Sequence, residues 1–179
     1  MTFADKVKLQ LLSVEQTIVI DGDGPRTLKG ERLFVNFKIH GQVTWYDGLF
    51  DTGAMISILP HRIWSKSEIE WVHPLPGQTF PDWVAKITGI TGGEVRCQLG
   101  IATLQFCDVD RRHLRPVRAF VKCLAEGHSL PRSLIGLGGS VLDERRVEIE
   151  RHHEGHSAWL SELWAGRTEG EWLESPRVT

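Results

Sequence analysis

Along RLFVNFKIH (32–40) apolar and polar side chains alternate with a period of two, the pattern of a strand with one face against a core. The preceding VKLQLLSVEQTIVI (7–20) mixes β-branched and polar residues, and DGDGP (21–25) marks a turn between the two. GQ (41–42) separates RLFVNFKIH from VTWYDGLF (43–50), which predicts a hairpin. A longer hairpin is predicted over VAKITGITGGEVRCQLGIATLQF (84–106), with its glycines at the tip. PVRAFVKCL (116–124) and SLIGL (133–137) read as further strands, the second short and buried. Helix is predicted only late. One candidate is GSVLDERR (139–146); the other is SAWLSELWAGR (157–167), with Ser157 at the cap position and Gly166 near the end. The strand-like VEIE (147–150) gives way to the polar, histidine-rich RHHEGH (151–156). That change divides the chain into a domain over residues 1–150 and, over 151–179, a linker with a C-terminal helical tail. Many short strands with a late helix predict an all-β barrel or sandwich.

Composition adds bounds. With 179 residues, 41% hydrophobic and 25% charged, the chain has the make-up of one ordinary folded domain with an appendage. A formal net charge of −2 and a pI near 6.4 give no electrostatic footprint for nucleic acid or an anionic membrane, so neither is expected as a partner. Arg111, Arg112, Arg115 and Arg118 are interleaved with Asp108 and Asp110 and read as a solvated loop. Cys97, Cys107 and Cys123 have no CxxC spacing and are odd in number, which predicts buried free thiols in a reducing compartment. MTFADKVKLQLL lacks the layout of a signal peptide, and no apolar run reaches the length of a membrane span. The expected location is the cytoplasm, or a place within a larger precursor.

LFDTGAMISILP (49–60) carries the candidate chemistry. An ionised carboxylate is rarely buried unless it is paired or hydrogen-bonded, yet Asp51 stands between two apolar segments. Taken by itself, DTG can be an Asx-type turn in which Asp51 bonds the amides that follow. Gly53 permits tight backbone geometry there, and the small Ala54 lets another segment approach. Rival sites are weaker. HHEGH (152–156) falls one residue short of the H-E-x-x-H zinc spacing and reads as a linker. DGDG (21–24) starts like a calcium loop, but the twelfth position is Arg32 rather than glutamate. No nucleotide-binding glycine loop and no GxSxG are present. No metal or other cofactor is expected.

Three stretches taken together resemble the retropepsin-like aspartic proteases. They are GLFDTGAMISILP (48–60), the glycine-rich AKITGITGGEVRC (85–97) and SLIGLGGSVLDERR (133–146), and the resemblance spans about residues 32–150. It implies a closed acid-protease-like β-barrel with a flap hairpin and one short helix. It also implies Asp51 as the catalytic acid/base, supported by Thr52, Gly53 and Ala54 in the active-site loop. Gly89, Ile90, Thr91, Gly92 and Gly93 would form the flap over an extended peptide substrate. Leu134, Ile135 and Gly136 would be the psi-loop partner of the active-site strand. One DTG per chain supplies one carboxylate, so the resemblance implies a homodimer in which two Asp51 side chains share a proton and activate water for peptide-bond hydrolysis.

The chain departs from the family pattern at two places. Met55-Ile56 follow DTGA where an acid is usual, and Leu137-Gly138-Gly139 stand where an arginine is usual. Both halves of an ionic contact are absent together, which reads as apolar replacement at the dimer interface. Two other functions stand beside this one. One is a catalytically inactive module of this fold that binds peptides or dimerises; the other is a metal-dependent hydrolase using the 152–156 cluster.

Overall fold

The computed structural model describes residues 3–20, 24–51, 54–73, 84–86, 94–128, 130–138, 141, 145–152 and 155–162. Two long strands come first, β1 (Lys6–Ile20) and β2 (Gly24–Ile39), followed by β3 (Tyr46–Asp51) and the short β4 (Ser57–Leu59). After α1 (His61–Trp64) come β5 (Glu70–Trp71), β6 (Val84–Lys86), β7 (Glu94–Cys107) and β8 (Val117–Leu124). β9 (Ser133–Gly136), β10 (Arg145–His152) and β11 (Gly155–Glu162) complete the order. The fold is nearly all β, and α1 is the one helix among the described residues.

Six strands are joined edge to edge in the order β2-β3-β9-β4-β8-β7, and β7 returns to pair with β2. Most of these pairs are antiparallel. β3 with β9 and β4 with β8 are parallel, so β9 lies between β3 and β4. The interior of this ring explains the alternation in RLFVNFKIH. Val35, Phe37 and Ile39 are buried and pack with Leu104 and Phe106 of β7, Val121 of β8 and Ile135 of β9. Burial of this many large apolar side chains is the main source of stability for such a core.

The expected hairpins form. β2 and β3 pair through Phe34↔Leu49 to Phe37↔Tyr46, and Gly41 in the connection takes a left-handed φ of 85°. β6 pairs with β7 from Val84↔Arg96 to Lys86↔Glu94, so the arms of the glycine-rich hairpin adjoin; its tip, residues 87–93, lies outside the described residues.

The expected helices differ from what is found. Residues 155–162 of the predicted C-terminal helical extension form β11, which pairs with β1 on one edge and β10 on the other. Ser157 is opposite Glu150 in a ladder and caps nothing. The physical reason is tertiary. Ala158 and Leu160, two positions apart, are fully buried with Val7 and Leu9, and open strand edges complete the hydrogen bonding. β10 runs unbroken across residue 150, and Arg151 and His152 belong to it rather than to a linker. The helix expected over 139–146 is corrected where it is described: Arg145 and Arg146 open β10. The helix found instead, α1, follows Pro60 and buries Ile63, while the Trp64 indole N–H donates to the Leu124 carbonyl at 2.8 Å. Residues 163–179 lie outside the described residues.

Candidate active site

Asp51 is the last residue of β3, and its position follows from how closely β3 and β9 approach. Gly48 permits the contact: a Cβ there would lie 2.6 Å from Cγ1 of Ile135. The parallel register then runs Gly48↔Ser133, Leu49↔Leu134, Phe50↔Ile135 and Asp51↔Gly136. Phe50 and Ile135 point into the core, and their burial fixes the register that sets Asp51 level with Gly136. On the other edge of β9, Leu134 pairs with Ile58 of β4. The segment predicted as the psi-loop partner thus lies between the strand that enters DTGA and the strand that leaves it.

Backbone contacts tighten this junction. The Ala54 N–H donates to the Asp51 carbonyl at 3.1 Å. The Leu137 N–H donates to the Ala54 carbonyl at 3.1 Å. The Gly136 N–H donates to Oγ of Ser57 at 3.2 Å, and Ser57 is fully buried. A side chain at Gly136 would place its Cβ 2.7 Å from the Ala54 carbonyl oxygen, and one at Gly138 would lie equally close to that of Met55. Both glycines are therefore required by contact with backbone that has no room to give. Asp51 itself is half-buried.

Of the expected site residues, Asp51, Ala54, Leu134, Ile135 and Gly136 are brought together. Thr52 and Gly53 lie outside the described residues, as do Gly89, Ile90, Thr91, Gly92 and Gly93. Ser57 is the member that sequence reasoning passed over. Its signal was a lone hydroxyl inside the apolar run MISIL, where a buried polar atom needs a partner. Met55 projects its side chain into solvent, 79% exposed, beside the loop at Gly138.

The charged stretch at 108–118 is less solvated than expected. Asp108 is buried and accepts hydrogen bonds from the Arg112 backbone at 2.9 Å and its Nε at 2.7 Å. Arg115 pairs with Glu162, and Arg118 with Glu70. Burial pushes the Cys107 thiol up to about 11 and the Cys123 thiol up to about 12, so neither supplies a thiolate at neutral pH. Cys97, Cys107 and Cys123 are all buried. Among the described residues no three His, Cys, Asp or Glu side chains converge as metal ligands, and no helix is long and apolar enough to cross a membrane. His153 and Glu154 of the histidine-rich cluster lie outside the described residues, and His156 contacts Glu31 at 3.0 Å.

Among solved structures the chain is similar to a crystal structure of a retropepsin-like aspartic protease from Rickettsia conorii. The likeness is loose: 14% identity and a TM-score of 0.37, over 86% of this chain and 94% of that one. No family model matches the chain, and no curated protein does.

Proposed function

We infer that the protein is a homodimeric aspartic endopeptidase of retropepsin type, with Asp51 as its catalytic acid/base. The observation that supports this is the Asp51↔Gly136 register, which joins DTGA to the later LIG element in one pinned junction. The backbone that carries this carboxylate ends a strand pinned by its register and by the close approaches at Gly48 and Gly136, which supports a fixed starting position for the acid. In this reading the six-strand ring is the wall of an acid-protease barrel, and the hairpin of β6 and β7 carries the flap over an extended peptide.

The chemistry needs a second carboxylate, supplied by Asp51 of the other subunit across a two-fold axis. Two such groups in contact share one proton and titrate as a pair. The ionised member takes a proton from water as that water attacks the scissile carbonyl carbon, and the protonated member donates to the carbonyl oxygen. Collapse of the tetrahedral intermediate releases the amine, which takes up a proton, and the dyad returns to its starting state. Met55, Ile56 and Leu137 replace the usual acid–arginine contact, so association rests on apolar burial that moderate salt does not screen.

A pepstatin-type inhibitor, which imitates the tetrahedral intermediate, tests this reading against that of a non-catalytic module. A working dyad gives clear thermal stabilisation that disappears in Asp51→Asn. Sedimentation and specific activity on dilution test the dimer: activity falls as the dimer dissociates, with little change between low and moderate salt. A fully active monomer contradicts the mechanism.

A further inference from the structure

β2 runs far past the ring, and beyond it β1 and β2 continue as a two-stranded ribbon paired from Leu11↔Leu33 to Ile20↔Gly24. Directly opposed residues of such a pair lie on the same face. One face carries both acids of the ribbon: Glu15 bonds Lys29 at 3.1 Å, and Glu31 meets His156 of β11 at 3.0 Å. The other face is apolar and cationic. Leu12 is opposite Arg32, Val14 opposite Gly30, and Gln16 opposite Leu28, with Arg26 further out. Leu12 and Leu28 are 44% and 52% exposed. At the root of this face the Arg132 guanidinium lies 4.6 Å over the Phe34 ring, and the Lys6 ammonium 4.7 Å over Trp159. The Trp159 indole N–H is buried and has no acceptor among the described residues. A lone two-stranded ribbon is marginally stable in water, so an open apolar face along it calls for a cover.

We propose that this face is the docking surface for the chain's own C-terminal segment, residues 163–179. Three observations select that occupant. The first is charge: EGEWLE (169–174) offers Glu169, Glu171 and Glu174 around Trp172 and Leu173, with no base among them, against a face bearing Arg32 and Arg132. The same face of a second copy would instead bring arginine against arginine. The second is origin: β11 ends at Glu162, whose N–H donates to the Asp5 carbonyl at 2.8 Å, so the segment starts beside Lys6 and Trp159. The third is reach. β11 runs antiparallel to β1, so the segment first reverses; with about four residues given to that turn, the remaining thirteen span about 43 Å, enough to cover the roughly 33 Å of strand from Lys6 to Gln16.

A nitroxide on Gln16→Cys tests this in the full chain, since the three natural cysteines are buried and leave one reactive thiol. The label is expected to be motionally restricted at low salt. Reversing Glu169, Glu171 and Glu174 to Lys should raise its mobility severalfold while the circular dichroism stays unchanged. About 0.5 M salt should act in the same direction. Added synthetic peptide of sequence 163–179 should restore restriction in the reversed variant. Arg32→Glu, an independent change on the ribbon, should release the label as well. A label that is mobile from the outset, or restricted but indifferent to the acid reversals, overturns the proposal. Restriction that grows with protein concentration overturns it too, because the occupant is then a second copy.

Discussion

The two ends of β2 share one strand and one alternation yet live in different surroundings. From Phe34 to Ile39 every second residue is sealed in the ring, and from Pro25 to Arg32 every residue is exposed. The difference lies in the partners. At the first end β2 is flanked by β3 and β7 and covered from inside by Phe106 and Ile135; at the second it has β1 alone. Periodicity reports that a stretch can present one apolar face. Whether that face is covered depends on chain far away in sequence.

Substitution energies should follow this division. The largest effect is expected at Phe106, which is fully buried and stacks on Phe50 with ring centroids 6.5 Å apart. Phe106→Ala should cost about 3–5 kcal/mol, whereas Thr27→Ala, exposed on the other face of the ribbon, should change stability by no more than about 0.5 kcal/mol. Urea denaturation of both variants measures the contrast directly, and equal losses would break it. Gly136→Ala should be intermediate, costing about 1–3 kcal/mol because the new Cβ meets backbone atoms with no room to yield. Under the proposed function it also displaces the strand beside Asp51, so turnover should fall further than stability alone accounts for. Ser57→Ala strands the buried Gly136 N–H and should cost about 1–3 kcal/mol, with partial rescue by Ser57→Thr.

A smaller, pH-dependent effect is expected at the outer edge of the ring. His113 stacks on Trp45 at 5.1 Å, and burial, then Lys38 and Arg111, hold its pKa below the ordinary value of 6.5, with Asp108 opposing them weakly. The unfolded chain therefore binds a proton more readily than the folded one. This contribution is complete above about pH 6.5 and is lost as the pH falls from there through the lower folded value. Denaturant melts at about pH 5 and pH 7 should show a shallower pH dependence in His113→Gln than in the natural chain. An unchanged dependence would remove His113 from the account.

Strands and turns were legible wherever local pattern coincides with final burial, as in RLFVNFKIH and the Gly41 connection. The meeting of the Asp51 strand with LIG was legible as well, because tight backbone approach at Gly48 and Gly136 demands glycine. β11 was not, since SAWLSELW serves a helix or a strand equally and β1 and β10 decide between them. Ser57 was hidden because its partner, Gly136, is 79 positions away. The charged stretch at 108–118 was misread for a similar reason: Arg115 and Arg118 find their acids at Glu162 and Glu70, far along the chain.

The central claim is that Asp51, pinned beside Gly136, cuts peptide bonds. Cleavage of a peptide library by the natural chain and by Asp51→Asn, followed by mass spectrometry across the acidic and neutral range, tests it most directly. The account predicts defined cleavage sites with a bell-shaped rate profile peaking on the acidic side of neutrality, and no cleavage by a variant that remains folded. Substantial cleavage by Asp51→Asn, or a rate that climbs steadily to alkaline pH, would contradict it.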